Sequence, residues 1–130
     1  MKNNKLKMQD VMTVCPHAIG DDQNLTLAKE MFHKYKVRHL PVQSRGQIVG
    51  VITERDIQFL ASLEKDVDKW KVKDALTPEP YVVEPDEDLL NVASKMYQDK
   101  IGCAIVSAGQ KLVGIFTTTD ACRVLSEVLE

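Results

Sequence analysis

Apolar residues recur at spacings of three and four from Leu25 through Ala28, Met31 and Phe32 to Tyr35, which predicts an amphipathic helix over Asn24 to Lys36. Asp21-Asp22-Gln23-Asn24, just before it, is a turn and helix-cap cluster. Beyond the helix the period changes. His39 to Gln43 reads as a short strand, Ser44-Arg45-Gly46-Gln47 as a turn, and Ile48 to Ile52 as a continuous apolar run, hence a buried strand. A second helix starts near Thr53 and carries Ile57, Leu60, Ala61 and Leu63. Upstream, Asp10-Val11-Met12-Thr13 leads past Pro16 into an extended stretch from His17 to Ile19.

The same pattern then returns. A strand is expected at Tyr81 to Val83, a helix from Asp86 to Asp99, and a strand from Cys103 to Ser107. A turn at Ala108-Gly109-Gln110 leads to a strand at Leu112 to Phe116 and a helix from Thr118 to Leu129. Sliding the chain by 64 residues lays the second half on the first without a gap, so that Val49-Gly50-Val51-Ile52-Thr53-Glu54-Arg55-Asp56 falls on Val113-Gly114-Ile115-Phe116-Thr117-Thr118-Thr119-Asp120. Of the 53 positions from Asp10 to Ser62, 12 are identical, where average composition gives about three by chance. The chain is a tandem duplication of a β-α-β-β-α unit, residues 1–66 and 67–130, and duplicated units of this length pack on each other. Between them, the charged stretch from Glu64 to Asp74 holds the only tryptophan, Trp70, which is expected to pin the connector to a core.

Composition narrows the class. A hydrophobic content of 44% and a charged content of 28% in 130 residues are those of a folded soluble protein, large enough to bury roughly two thirds of its unfolded surface. The net charge of −2 offers no basic field for nucleic acid or a membrane surface. No apolar run approaches the length of a membrane span or signal peptide, so a cytoplasmic location is expected. The lysines at the start (Lys2, Lys5, Lys7) read as a frayed terminus. Cys15, Cys103 and Cys122 are widely spaced without metal-binding motifs and read as buried reduced thiols. His17, His33 and His39 show no metalloenzyme spacing.

The repeated element that could carry chemistry is an apolar strand followed by Gly-x-x-Thr-x-x-Asp. Thr53 with Asp56, and Thr117 with Asp120, fit a capping box, in which the threonine caps the helix and the carboxylate reaches back. The same atoms also fit a ligand site. A strand running into a helix offers N–H groups and a hydroxyl to a phosphate, and a carboxylate one turn in can accept the hydroxyls of a ribose. Gly50 and Gly114 would admit a ligand or a neighbouring backbone at close range. Arg38 and His39 enter the preceding strand, so at least one should face the edge of Thr53, and Arg38 with Arg55 could neutralise phosphate. The second copy has Gly102-Cys103 at the places of Arg38-His39, so the two potential sites are unequal.

Taken together, D-V-M-T…P, an amphipathic helix, V-R-H-L-P-V and G-V-I-T-E-R-D resemble the CBS domain, and the duplication resembles a free-standing CBS pair, or Bateman module. The resemblance implies an α+β fold in which two repeats, each with a small three-stranded sheet, pack sheet to sheet about a pseudo-twofold axis. It implies two clefts that bind adenosyl compounds such as AMP, ADP, ATP, S-adenosylmethionine or NAD. One would use Arg38, His39, Thr53, Arg55 and Asp56 with Thr77, Tyr81 and Val82. The other would use Thr117 and Asp120 with Thr13, His17 and Ala18, and would bind phosphate poorly for want of a basic group.

The expected function is a regulatory sensor without catalytic activity, because no nucleophile–base–orienter set or paired catalytic carboxylates stands out. It would act on its own association, as a homodimer, or on a regulated protein in trans, with no nucleic acid, membrane or metal involved. The other reading is a structural dimerisation module with empty clefts. Met12, Met31, Phe32, Met96 and Tyr97 are candidates for its contact surface. The acidic clusters Asp21-Asp22 and Asp86 to Asp88 are expected to cap helices rather than to bind Mg²⁺.

Overall fold

The computed structural model describes residues 5–14, 17–63 and 66–130. In chain order the elements are α1 (Met8–Val11), β1 (Thr13–Val14), β2 (Ile19–Gly20), α2 (Leu25–Tyr35), β3 (His39–Ser44), β4 (Gln47–Thr53) and α3 (Glu54–Leu63). A 3₁₀ turn at Val67–Lys69 precedes α4 (Val72–Ala75), β5 (Thr77–Pro78), β6 (Val82–Val83), α5 (Leu89–Asp99), β7 (Cys103–Ala108), β8 (Lys111–Thr117) and α6 (Thr118–Val128). The chain is α+β, with two four-stranded sheets, β2-β3-β4-β5 and β1-β8-β7-β6.

Local chemistry explains the elements. Asn24 caps α2, its side chain accepting the Leu27 N–H at 3.1 Å, and Lys36 ends the helix in the left-handed conformation. The β3–β4 hairpin closes through Arg45-Gly46, both at positive φ as a two-residue type I′ turn requires. Both hairpins shift register at the same repeat position, between Val42 and Gln43 and between Val106 and Ser107. The duplication thus extends to an irregularity that its apolar pattern does not signal. One capping expectation fails: Asp88 makes no side-chain cap at the start of α5 and instead pairs with Lys7.

The chain divides into two compact units, His17–Pro80 and Met1–Pro16 with Tyr81–Glu130. These units of packing are not the sequence repeats, because each unit borrows the segment that opens the other repeat. In the first unit, Val72 N–H donates to the Gln23 carbonyl and Lys73 N–H to that of Asp21, while β5 pairs antiparallel with β4. In the second, Met8 N–H donates to Glu87 and Gln9 N–H to Pro85, and β1 pairs antiparallel with β8. The borrowed strand makes each sheet four-stranded rather than three-stranded. It also corrects the reading of a frayed start at Lys7, which is ion-paired next to the fully buried Met8, while Lys2 lies outside the described residues.

Each unit has its own core. In the first, Ile19, Leu25, Ala28, Phe32, Leu40, Val42, Ile52, Ile57, Val67 and Val72 cluster, with Trp70 packed against them from the connector. In the second, Met8, Val11, Val83, Val92, Met96, Ala104, Val106, Phe116 and Val124 do so. Cross-strand partners have exchanged volume between the copies: Leu40 opposite Ile52 in one, Ala104 opposite Phe116 in the other. A swap that conserves total volume is what a close-packed interior tolerates best. The opposite sheet faces are apolar too, with Pro41, Val51, Ile105 and Ile115 all buried, so the strands read as unbroken apolar runs.

Gly50 and Gly114 serve a neighbouring backbone. A Cβ on Gly50 would lie 2.6 Å from the Thr77 carbonyl oxygen and 2.8 Å from Leu76, so a side chain there would push β5 off the sheet. A Cβ on Gly114 meets the Sδ of Met12 first, the far end of a flexible side chain. Gly50→Ala is therefore expected to cost about 1–3 kcal/mol by overpacking, and Gly114→Ala less. Urea unfolding of both variants checks the order, and an equal or reversed cost would contradict this account of β5.

The candidate contact residues fare differently. Phe32 and Met96 are buried in the two cores, and Met12 and Met31 pack against them, which leaves only Tyr97, 84% exposed, on the surface. Phe59 and Leu63 on α3 and Leu125 on α6 are exposed instead. Leu63 and Ala61 thus do not belong to the buried face of their helix. Cys103 is partly buried, Cys122 is exposed against expectation, and Cys15 lies outside the described residues. No helix among the described residues is long and apolar enough to cross a membrane, and no His, Cys, Asp or Glu cluster among them could hold a metal ion.

Candidate functional site

The Thr-x-x-Asp elements sit where β4 runs into α3 and β8 into α6. Both are capping boxes. Thr53 N–H donates to Asp56 Oδ2 at 2.9 Å and Asp56 N–H to Thr53 Oγ1 at 3.0 Å. Thr117 N–H donates to Asp120 Oδ2 at 2.8 Å and Asp120 N–H to Thr117 Oγ1 at 3.2 Å. The N–H groups of Glu54 and Thr118 donate to the Arg38 and Gly102 carbonyls. Most amides of the first turn are consumed, which corrects the expectation that they lie open to a phosphate. A phosphate at α3 would have to be met by side chains.

Register brings one of the candidate side chains beside Thr53. His39 lies directly opposite Thr53 across the β3–β4 ladder, so the two share a sheet face. Cys103 stands opposite Thr117 in the same way. Arg38 and Arg55 are exposed and make no ion pair among the described residues. The first corner thus carries Arg38, His39 and Arg55 beside Glu54 and Asp56, where the second has Gly102, Cys103 and Thr119 at the places of the three basic residues.

The carboxylates differ more than their sequences suggest. Asp56 is half-buried, and its Oδ1 has no hydrogen-bond partner among the described residues. Asp120 is only 8% exposed. Its Oδ1 accepts the Thr13 hydroxyl at 2.7 Å, and its Oδ2 accepts the Thr117 hydroxyl at 3.1 Å besides the backbone N–H. The Arg123 guanidinium, 3.7 Å from Oδ1, also donates to the Val11 carbonyl. Arg123 was not among the residues that motif reasoning selects. Its one signal in the sequence is that the first copy has Phe59 at that position.

The remaining candidates fall as follows. Thr77 is exposed on β5 opposite Val51, and it does not bond Asp56 as Thr13 bonds Asp120. His17 stacks on Tyr35 with ring centroids 3.6 Å apart, and Ala18 follows it into β2; both belong to the unit His17–Pro80. Tyr81 and Val82 belong to the other unit, where Val82 pairs with Ile105 and Lys95 lies over the Tyr81 ring, 5.6 Å from its centroid. Burial pushes the Tyr81 phenol above its ordinary pKa, while the Lys95 charge pulls the other way.

Two tandem units of this topology, each ending in a strand–Thr-x-x-Asp–helix corner, define a class of protein. The chain belongs to the CBS domain family, whose model matches residues 8–61 and again 72–127. Among solved structures it is similar to the CBS domain pair of protein MJ0100 in complex with 5′-methylthioadenosine and S-adenosyl-L-methionine. That likeness has a TM-score of 0.83 at 25% identity and covers 94% of this chain and 97% of the other. It is likewise similar to CBSX2 in complex with AMP, with a TM-score of 0.75, 26% identity and coverage of 95% and 98%. Among curated proteins it is 27% identical over 124 residues to a homoserine O-acetyltransferase of Methanohalobium evestigatum, matching 94% of this chain but 24% of that enzyme. The chain thus spans about a quarter of the length of that relative.

Proposed function

We propose that this protein is a regulatory module that binds an adenine nucleotide or adenosyl compound at the Thr53–Asp56 corner. Binding there would modulate its self-association or a partner protein in the cytoplasm. The observation that carries this reading is the outer oxygen of Asp56, a half-buried carboxylate with one acceptor atom unused among the described residues. A ribose hydroxyl can donate to that oxygen in a charge-assisted hydrogen bond. His39, Arg38 and Arg55 surround the same corner with positive or protonatable groups that can meet a phosphate. AMP, S-adenosylmethionine and methylthioadenosine in similar CBS pairs support this ligand class. The proposed role is recognition of the ligand rather than its turnover.

A second reading, a protein-contact module, draws on Phe59 and Leu63, which are exposed one helical turn apart on α3. Ligand-dependent stability separates the two. An adenine ligand at about a hundred times its dissociation constant is expected to stabilise the fold by about 2.7 kcal/mol. For a chain of this size that raises the melting temperature by on the order of 5 to 15 °C. Melting curves with millimolar AMP, ADP, ATP, S-adenosylmethionine and NAD test this, and five unmoved curves would refute ligand sensing.

A further inference from the structure

Asp56 and Asp120 occupy the same place in their repeats, yet one is open and the other is filled. A carboxylate has about four lone-pair sites for hydrogen bonds. In Asp120 three are taken, by the Thr13 hydroxyl, the Thr117 N–H and the Thr117 hydroxyl. The Arg123 charge stands 3.7 Å away, and the residue is almost fully buried. In Asp56 one oxygen receives the Thr53 N–H, and no other donor among the described residues reaches the carboxylate. The difference is not in the motif itself, since Gly-x-x-Thr-x-x-Asp is intact in both copies.

The difference lies in what the borrowed strand presents. Thr13 on β1 and Thr77 on β5 are equivalent in sequence, and each strand pairs with the strand that carries the motif. Thr13 turns its hydroxyl onto the aspartate of its unit, whereas Thr77 makes no such bond. Arg123 adds a second tie between α6 and the same segment through the Val11 carbonyl. Phe59, at the equivalent place on α3, cannot form one.

We propose that Thr13 is a built-in occupant of Asp120: its hydroxyl takes the position a ligand hydroxyl would take, so the chain keeps one open diol-accepting carboxylate, at Asp56. The inference deepens the adenosyl-binding reading and rests on it for the ligand class. An intramolecular hydroxyl competes at a high effective concentration, set by the strand that holds it. A ligand at the Asp120 corner must displace it, so the apparent affinity there falls by the small fraction of molecules in which Thr13 has let go. Thr13 thereby decides how many ligands the chain takes.

Calorimetric titration with AMP of the wild type, Thr13→Ala and Thr13→Ser tests this, with folding of each variant checked by its melting curve. Thr13→Ala is expected to show a binding event that the wild type and Thr13→Ser lack over the measured range, which requires an affinity at that corner at least about tenfold tighter than theirs, or about 1.4 kcal/mol. Adding Asp120→Asn to Thr13→Ala should remove that event. Should alanine destabilise β1, Thr13→Val keeps the side-chain volume without the hydroxyl and serves the same comparison. If Thr13→Ala and Thr13→Val titrate as the wild type does, or the wild type already shows an event that Asp120→Asn removes, the proposal is overturned. Failure of the adenosyl reading at Asp56 has a different signature: a wild-type event that is missing or that survives Asp56→Ala.

Discussion

Met8→Ala is expected to destabilise the fold by about 2–5 kcal/mol, the range for truncating a fully buried large apolar side chain. Met8 sits eight residues from the N-terminus among lysines, where an unstructured tail would make the substitution silent. It is instead fully buried, in a cluster with Val83, Val92, Val106 and Phe116 from the other half of the sequence. The α1 backbone is fixed there by the Met8 and Gln9 N–H bonds to the carbonyls of Glu87 and Pro85, so the side chain cannot withdraw cheaply. Val72→Ala, at the same position of the other unit, removes fewer atoms and should cost less. Urea unfolding measures both, and a cost below about 1 kcal/mol for Met8→Ala would show that the N-terminal segment is not part of the core.

Asp56→Ala is expected to weaken adenine-ligand binding by about 10- to 150-fold, the equivalent of losing a hydrogen bond to a charged group worth about 1.5–3 kcal/mol. Asp120→Ala is expected to change that binding by less than about threefold and to act on stability instead. It strips the partner from the Thr13 hydroxyl and from two Thr117 donors, at a cost of about 1.5–3 kcal/mol. Each variant also loses half of a capping box, so titration and urea unfolding must be run on the same preparations. Equal affinity losses from the two substitutions would remove the case for unequal corners.

The helices and long strands were legible because their signals are local and periodic. The 3.6-residue spacing from Leu25 to Tyr35 and the apolar runs at Ile48 to Ile52 and Leu112 to Phe116 each fall within the element they predict. β1 and β5 were not legible. Two-residue strands carry no period, and their exposed faces carry no apolar pattern. Capping was legible at Thr53 and Thr117 for the same local reason, since threonine and aspartate three residues apart meet in any helix start. Which aspartate also receives a third residue was not, because Thr13 and Asp120 are 107 positions apart.

The sequence alone therefore determined the duplication, the order of the longer helices and strands, the apolar runs of the central strands and the Arg38-His39 pair that sets the first corner apart. Short-range periodicity and side-chain volume are sufficient for these. Tertiary structure decided which segments are exchanged between the units, why Gly50 and Gly114 must be bare, and which carboxylate remains open. Those outcomes depend on where a distant strand lays its backbone and hydroxyl, and identical motifs in the two copies have no means of recording it.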